Sequence, residues 1–299
     1  MEPTRREKKV KKRSPLLKGC LVTLLIILAL PIAFLLAGKL SGVFSIKKDS
    51  IGVVDIEGVI TSSRKINEEI IKLGKNERIK GVVLRINSPG GGVGPSQEIY
   101  EEVKKLKAKK AVVAAIGAVG ASGGYYVACG ADRIVANPGS ITGSIGVIIE
   151  FLNVRDLVEK IGVKGMVVKS GPMKDVGNPL REMTGEERKM VQGLIDNIYH
   201  QFVDAVADAR KIERSKVEKI ADGRIFSGEQ AKKIGLVDFL GNFYDAVDIT
   251  AEMVGIKGEP EVVYPPKKKF SIFELLKEEA KSIISEVMSE TLFPKIVTR

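Results

Sequence analysis

"AVVAAIGAVGASGGYYVACGADRIVAN", residues 111–137, decides how this chain folds. It opens with a strand-like apolar run, AVVAAIG (111–117), and turns at a serine followed by two glycines, Ser122 to Gly124. A short helix-like segment, SGGYYVACG (122–130), leads into a second strand, RIVAN (133–137). A tight strand-to-helix turn can hold a hydroxyl out where a substrate reaches it. The same residues also suit a plain glycine corner, so the rest of the chain has to separate the two readings.

Working outward, the alternation continues. IGVVDIEGVI (51–60), GVVLRIN (81–87), SIGVIIE (144–150) and KGMVVKS (164–170) read as strands. The segments 63–76, 95–109 and 153–162 read as helices, the first with Ile66, Ile70 and Leu73 on one face and the second with Ile99, Val103 and Leu106. Short β-branched strands between amphipathic helices predict an α/β fold with a largely parallel sheet under helical cover. A long helix is expected from about Lys211 back to Thr184, its N-cap, with Glu187 at the capping-box position. Its apolar stripe is Val191, Leu194, Ile195, Ile198, Phe202 and Val206. A small helix-turn unit (215–221) and a helix near 243–254 follow, and no internal repeat is visible.

The 299 residues carry a net charge of +11, and its location matters. Residues 1–18 hold eight Lys/Arg and two Glu, so six of those eleven charges sit in one short basic segment and the body is only mildly basic. That distribution argues against nucleic-acid binding. The basic segment precedes an uncharged run, GCLVTLLIILALPIAFLLAG (19–38). As a helix this run rises about 30 Å, the thickness of a bilayer's hydrocarbon core. It is too long for a signal-peptide core, and its exit, FLLAGKLSG, offers no small-x-small cleavage site. An uncleaved single-pass anchor is expected, with residues 1–18 cytoplasmic and everything after residue 40 outside the cytoplasm. Residues 39–50 suit a linker, 51–264 a single folded domain, and 265–299 an amphipathic tail.

The chemistry available is narrow. No metal-ligand spacing, phosphate loop or dinucleotide fingerprint occurs, so neither metal nor cofactor is expected. The two cysteines, Cys20 in the apolar run and Cys129 in the helix-like segment, give no disulfide framework. The single histidine, His200, falls on the polar face of the long helix and is expected to be solvated rather than a base. A nucleophilic Ser122 would then need a lysine. An ordinary lysine titrates near about 10.4, and burial lowers that by about 3–5 units into a working range. Lys174 stands out because KSGPMKDVGNP (169–179) places it in a loop bounded by glycine and proline, although an exposed loop lysine is the bland reading. An oxyanion hole would take one backbone N–H from Gly123 and another from INSPGGGV (86–93), which otherwise is a helix-entry turn.

RINSPGGGV, GASGGYYVACGADRIVANPGSITGSIGV, KSGPMKDVGNP and ADGRIFSGEQAKKIGLVD, in this order, resemble the signatures of the signal peptide peptidase A family of membrane-anchored Ser/Lys proteases. The resemblance covers about residues 51–255. It implies a Clp protease/crotonase-like spiral of β-β-α units behind one N-terminal transmembrane helix. It implies that Ser122 is the nucleophile, Lys174 the general base, and Gly91 and Gly123 the oxyanion hole. Thr142 and Ser144 would orient the lysine amine, or would simply form turns. Asp175 should point away from that amine, because a carboxylate beside it would favour the charged form. The resemblance further implies a ring-like homo-oligomer, with active sites that neighbouring subunits can complete, and hydrophobic signal peptides as substrates. A related membrane Ser/Lys protease acting on a stomatin-like membrane partner is the alternative. A crotonase-like acyl-CoA enzyme and a catalytically dead scaffold belong to different classes, separable by fluorophosphonate labelling of Ser122.

Overall fold

The computed structural model describes residues 49–265. The expected anchor (19–38) and the tail beyond residue 265 lie outside the described residues, as does most of the 39–50 linker. Among the described residues no helix is long and apolar enough to cross a membrane.

The alternation read from apolar spacing is present in the first half: β1 (Ser50–Glu57), α1 (Arg64–Lys75), β2 (Ile79–Ser88), α2 (Val93–Lys107), β3 (Ala111–Ala121), α3 (Gly123–Ala128) and β4 (Arg133–Ala136). The second half contains β5 (Ile141–Gly143), α4 (Arg155–Lys160), α5 (Gly185–Arg210), α6 (Arg214–Glu218), β6 (Ile225–Ser227), α7 (Gly228–Lys233), β7 (Phe239–Leu240), α8 (Phe243–Met253) and β8 (Glu261–Val263). The strands form one sheet in the order β6-β5-β3-β2-β1-β8, with β4 joining β3 to β7. Every pairing is parallel except β5 with β6.

Both faces of the central strands are covered, which is why they read as near-continuous apolar runs. Val54, Ile56, Leu84, Ile86, Ala114 and Ile116 pack on one face with Ile70 and Leu73 of α1 and Ile99, Val103 and Leu106 of α2. Ile51, Val83, Val113 and Ala115 pack on the other with Ala246 and Val247 of α8. β3 forks the sheet: residues 113–116 pair with β4, and residues 119–121 pair with β5. The fork carries the carboxyl end of β3 away from β4 and leaves Ser122 at an open rim.

Expectations fail for three segments. SIGVIIE (144–150) and KGMVVKS (164–170) form no strand, and the helix expected over 153–162 is confined to α4. β propensity is not enough where no neighbouring strand supplies hydrogen-bond partners. Ile145 is buried in the core, but the rest of this stretch forms an arm between β5 and α5 with many apolar side chains outward: Ile148 is 84% exposed, Met166 92% and Val168 94%. The long helix α5 starts as expected, with a capping box between Thr184 and Glu187. Only its second half, at Phe202, Val203, Ala205 and Val206, reaches the core, and Leu194 is exposed.

Candidate active site

Ser122 directly follows β3 and is the N-cap residue of α3, with φ 51° and ψ −123°. Positive φ in a residue that carries a Cβ costs about 1–3 kcal/mol and persists only where the surroundings enforce it. Two hydrogen bonds enforce it here. The Ser122 N–H donates to Gly143 O of β5 (2.8 Å), and Ser122 O accepts from Tyr126 N (2.9 Å). α3 is in turn anchored by Tyr125, fully buried, whose hydroxyl donates to Leu236 O at 2.8 Å. The plain-corner reading does not need this strain, whereas a nucleophile presented at a rim does.

The loop after β2 lies against this turn. A Cβ on Gly90 (φ 101°) would fall 2.6 Å from Gly123 N and 2.9 Å from Ser122 Cβ, so no larger residue fits. Gly90 O accepts from Ile60 N, and Gly92 N donates to Ile60 O, both at 2.8 Å. A trans peptide points its C=O and N–H in opposite directions. With Gly90 O fixed on Ile60, the Gly91 N–H of the same peptide points away from Ile60. Gly91 N lies 3.3 Å from where a Cβ on Gly123 would sit. Gly123 is the first residue of α3, and the first N–H groups of a helix have no intrahelical acceptor. Two backbone donors without an acceptor among the described residues therefore sit side by side next to the Ser122 hydroxyl, the arrangement that stabilises a developing oxyanion.

Two cavities open on Ser122. One, of about 30 Å³, is an apolar notch lined by Val93, Tyr126, Val147, Ile198 and Phe202 beside Gly91 and Gly123. The other, of about 500 Å³, runs past Ser144 and Ile148 to Ile195 and Tyr199 of α5. The notch is apolar, whereas the larger cavity also carries Gln192, Asp196 and Asp222.

Lys174 lies in a 3-10 turn, Pro172–Asp175, at the base of the arm. It is exposed and lines neither cavity. What the structure builds around it is a clamp on the turn. Asp175 accepts from Arg181 Nε (2.9 Å) and Nη2 (2.8 Å) and from Lys169 Nζ (2.5 Å). Arg181 also donates to both oxygens of Glu187, at 2.8 and 2.5 Å. Asp175 is thus turned onto Arg181 and Lys169. Hydrogen bonds from those two groups hold its carboxyl well below the usual carboxylate range. Arg181, with the Thr184 backbone N–H, holds Glu187 down to about 2.

Thr142 is buried and its hydroxyl donates to Gly120 O at 2.7 Å, which ties β5 to β3. Ser144 (φ 51°) lines the larger cavity with Ser122, and its N–H donates to Arg224 O. The single chain brings together Ser122, Gly91, Gly123 and Ser144. Lys174 lines neither of the two cavities that open on Ser122. His200 stands exposed beside Arg214 and lines neither cavity. Burial pushes the Cys129 thiol up to about 12, so it stays protonated and inert. Among the described residues no group of acidic, histidine or cysteine side chains could hold a metal ion. Ile60 and Arg181 were not legible as site residues, because their partners come from other segments.

Comparison with known proteins assigns the chain to a family. The profile of Peptidase family S49 matches residues 104–257, and that of Clp protease matches residues 50–140. The mixed α/β fold around a central sheet is consistent with the Clp protease-like fold. A Synechocystis sp. protein whose name calls it a protease is 44% identical over 224 residues, 74% of this chain and 81% of that protein. An Enterococcus faecium protein whose name assigns it to signal peptide peptidase SppA is 42% identical over 181 residues, 60% of this chain and 53% of its own length. The chloroplastic serine protease SPPA of Arabidopsis thaliana is 31% identical over 225 residues, 75% of this chain and 32% of its own length. The chain thus spans most of the first relative, about half of the second and a third of the last. With a strained serine beside two free backbone donors and these relatives, the chain belongs to peptidase family S49 and is a serine peptidase.

Proposed function

We propose that this peptidase cleaves hydrophobic signal peptides at the outer face of the cytoplasmic membrane, with Ser122 as nucleophile and Lys174 as general base. The observation that carries the reading is Ser122, held at positive φ between the Gly91 and Gly123 amides and opening on an apolar notch. In the first step Ser122 Oγ bonds to the scissile carbonyl carbon while its proton passes to the uncharged Lys174 amine. The carbonyl oxygen takes up the negative charge against the two glycine amides. The Lys174 ammonium then protonates the leaving amine, the C–N bond breaks, and water hydrolyses the resulting ester by the reverse sequence. The expected anchor would hold the domain where such peptides are released.

Lys174 is supplied by a neighbouring subunit in this reading. Its absence from the lining of both Ser122 cavities and the exposed Ile148, Met166 and Val168 of the arm support a ring of subunits in which the arm packs on the next copy. Mass spectrometry of peptides cut from a signal-peptide library by the full chain, with Ser122→Ala as control, tests the substrate class. Cleavage only of polar, extended peptides would overturn it. Mixing Ser122→Ala with Lys174→Ala chains tests the sharing of the site: measurable activity returns if the dyad forms between subunits and stays absent if it does not.

A further inference from the structure

The Gly90–Gly91 peptide joins two glycines, the residues with the least resistance to backbone rotation. If that peptide turned over, a carbonyl oxygen would replace the Gly91 N–H beside Ser122, and the site would repel an oxyanion. Something must hold it, and the holding group is a side chain that the chemistry above does not use. Ser88, the last residue of β2, is fully buried. Its hydroxyl donates to Gly58 O at 2.6 Å and accepts from Gly90 N at 3.1 Å. The first bond fixes the segment after β1 that carries Ile60, whose N–H holds Gly90 O. The second fixes the Gly90 end directly, and Gly90 is itself buried. One hydroxyl thus restrains both sides of the rotating peptide.

We propose that Ser88 is a positioning residue that keeps the Gly91 N–H aimed at the reacting carbonyl oxygen. The inference rests on the reading of Ser122 and Gly91 given above. It also assigns a reason for the serine in RINSPGGGV that its position in the sequence does not supply.

The test separates transition-state stabilisation from folding and from ordinary binding. A peptide aldehyde adds to Ser122: Oγ bonds to the aldehyde carbon, the hydroxyl proton passes to the base, and the carbonyl π pair becomes an alkoxide in the hole, with no group leaving. The matching peptide alcohol binds without forming that oxyanion. In the full chain, Ser88→Ala is expected to lower kcat and aldehyde affinity together by roughly 10- to 100-fold, less than or equal to the loss of a whole oxyanion donor. KM and alcohol affinity should move by less than about 2-fold. Ser88→Cys keeps the volume with a weaker donor and is expected to show the same split to a smaller degree, which covers the case in which the alanine variant does not fold. Equal losses for aldehyde and alcohol, or unchanged kcat in either variant, would overturn the proposal. Ser122→Ala is run alongside: activity that survives it would sink the reading of the site rather than the role of Ser88.

Discussion

At Ser122 the backbone and the chemistry pull in opposite directions. A positive φ is strained for serine and free for glycine. Ser122→Gly is therefore expected to abolish peptidase activity while raising stability by about 1 kcal/mol relative to Ser122→Ala. Thermal melting of the two inactive variants measures the difference, and equal melting temperatures would show that the turn carries no strain. The identity of this serine was legible in the sequence as a hydroxyl at a glycine-rich junction. Its strain was not, because the hydrogen bonds that impose it come from Gly143, on a strand 21 residues further along, and from the helix it caps.

The elements that carry Lys174 are expected to respond to acid ahead of the core. Glu187 closes the capping box of α5 and anchors Arg181, which holds the Lys174 turn through Asp175. Its carboxyl, ordinarily near 4.5, is held down to about 2 in the folded chain. A depressed carboxyl contributes stability that is complete above its unfolded value and is lost as pH falls through the folded one. Backbone amides of 171–187 are therefore expected to lose hydrogen-exchange protection as pH falls from 4.5 toward about 2, ahead of those in β1 to β3. Glu187→Gln should remove this early loss by weakening the clamp at every pH. Protection that declines uniformly across the chain would refute the coupling. The capping box was legible in Thr184 and Glu187, three residues apart. Arg181 was not, because its role depends on a turn folded back onto the helix start.

At the scale of the whole molecule, the arm between β5 and α5 stands out. Its strand-like sequence joins no sheet, and Ile148, Met166 and Val168 turn their side chains to solvent. In the proposed ring they would be covered by the next subunit. Met166→Asp with Val168→Asp, two changes at freely exposed positions, is expected to leave the monomer's melting temperature within about 3 °C, since exposed substitutions rarely exceed about 0.5 kcal/mol each. The same pair should shift light-scattering mass toward the monomer and lower peptidase activity. Unchanged mass would place the interface elsewhere. The core, by contrast, is local in origin: α1, α2 and the central strands were readable from their apolar periods, because each buries its stripe against its chain neighbours.

The sequence by itself determined the alternating elements of the first half, the serine just after β3, the glycines of the loop after β2 and the helix cap at Thr184. Local backbone preferences and periodic burial are enough to specify these. Only the tertiary structure decided which way the Gly91 amide points, how the sheet forks to expose Ser122, and that Lys174 lines neither cavity on Ser122. Each depends on hydrogen bonds or packing between segments distant in sequence, and local pattern carries no record of those.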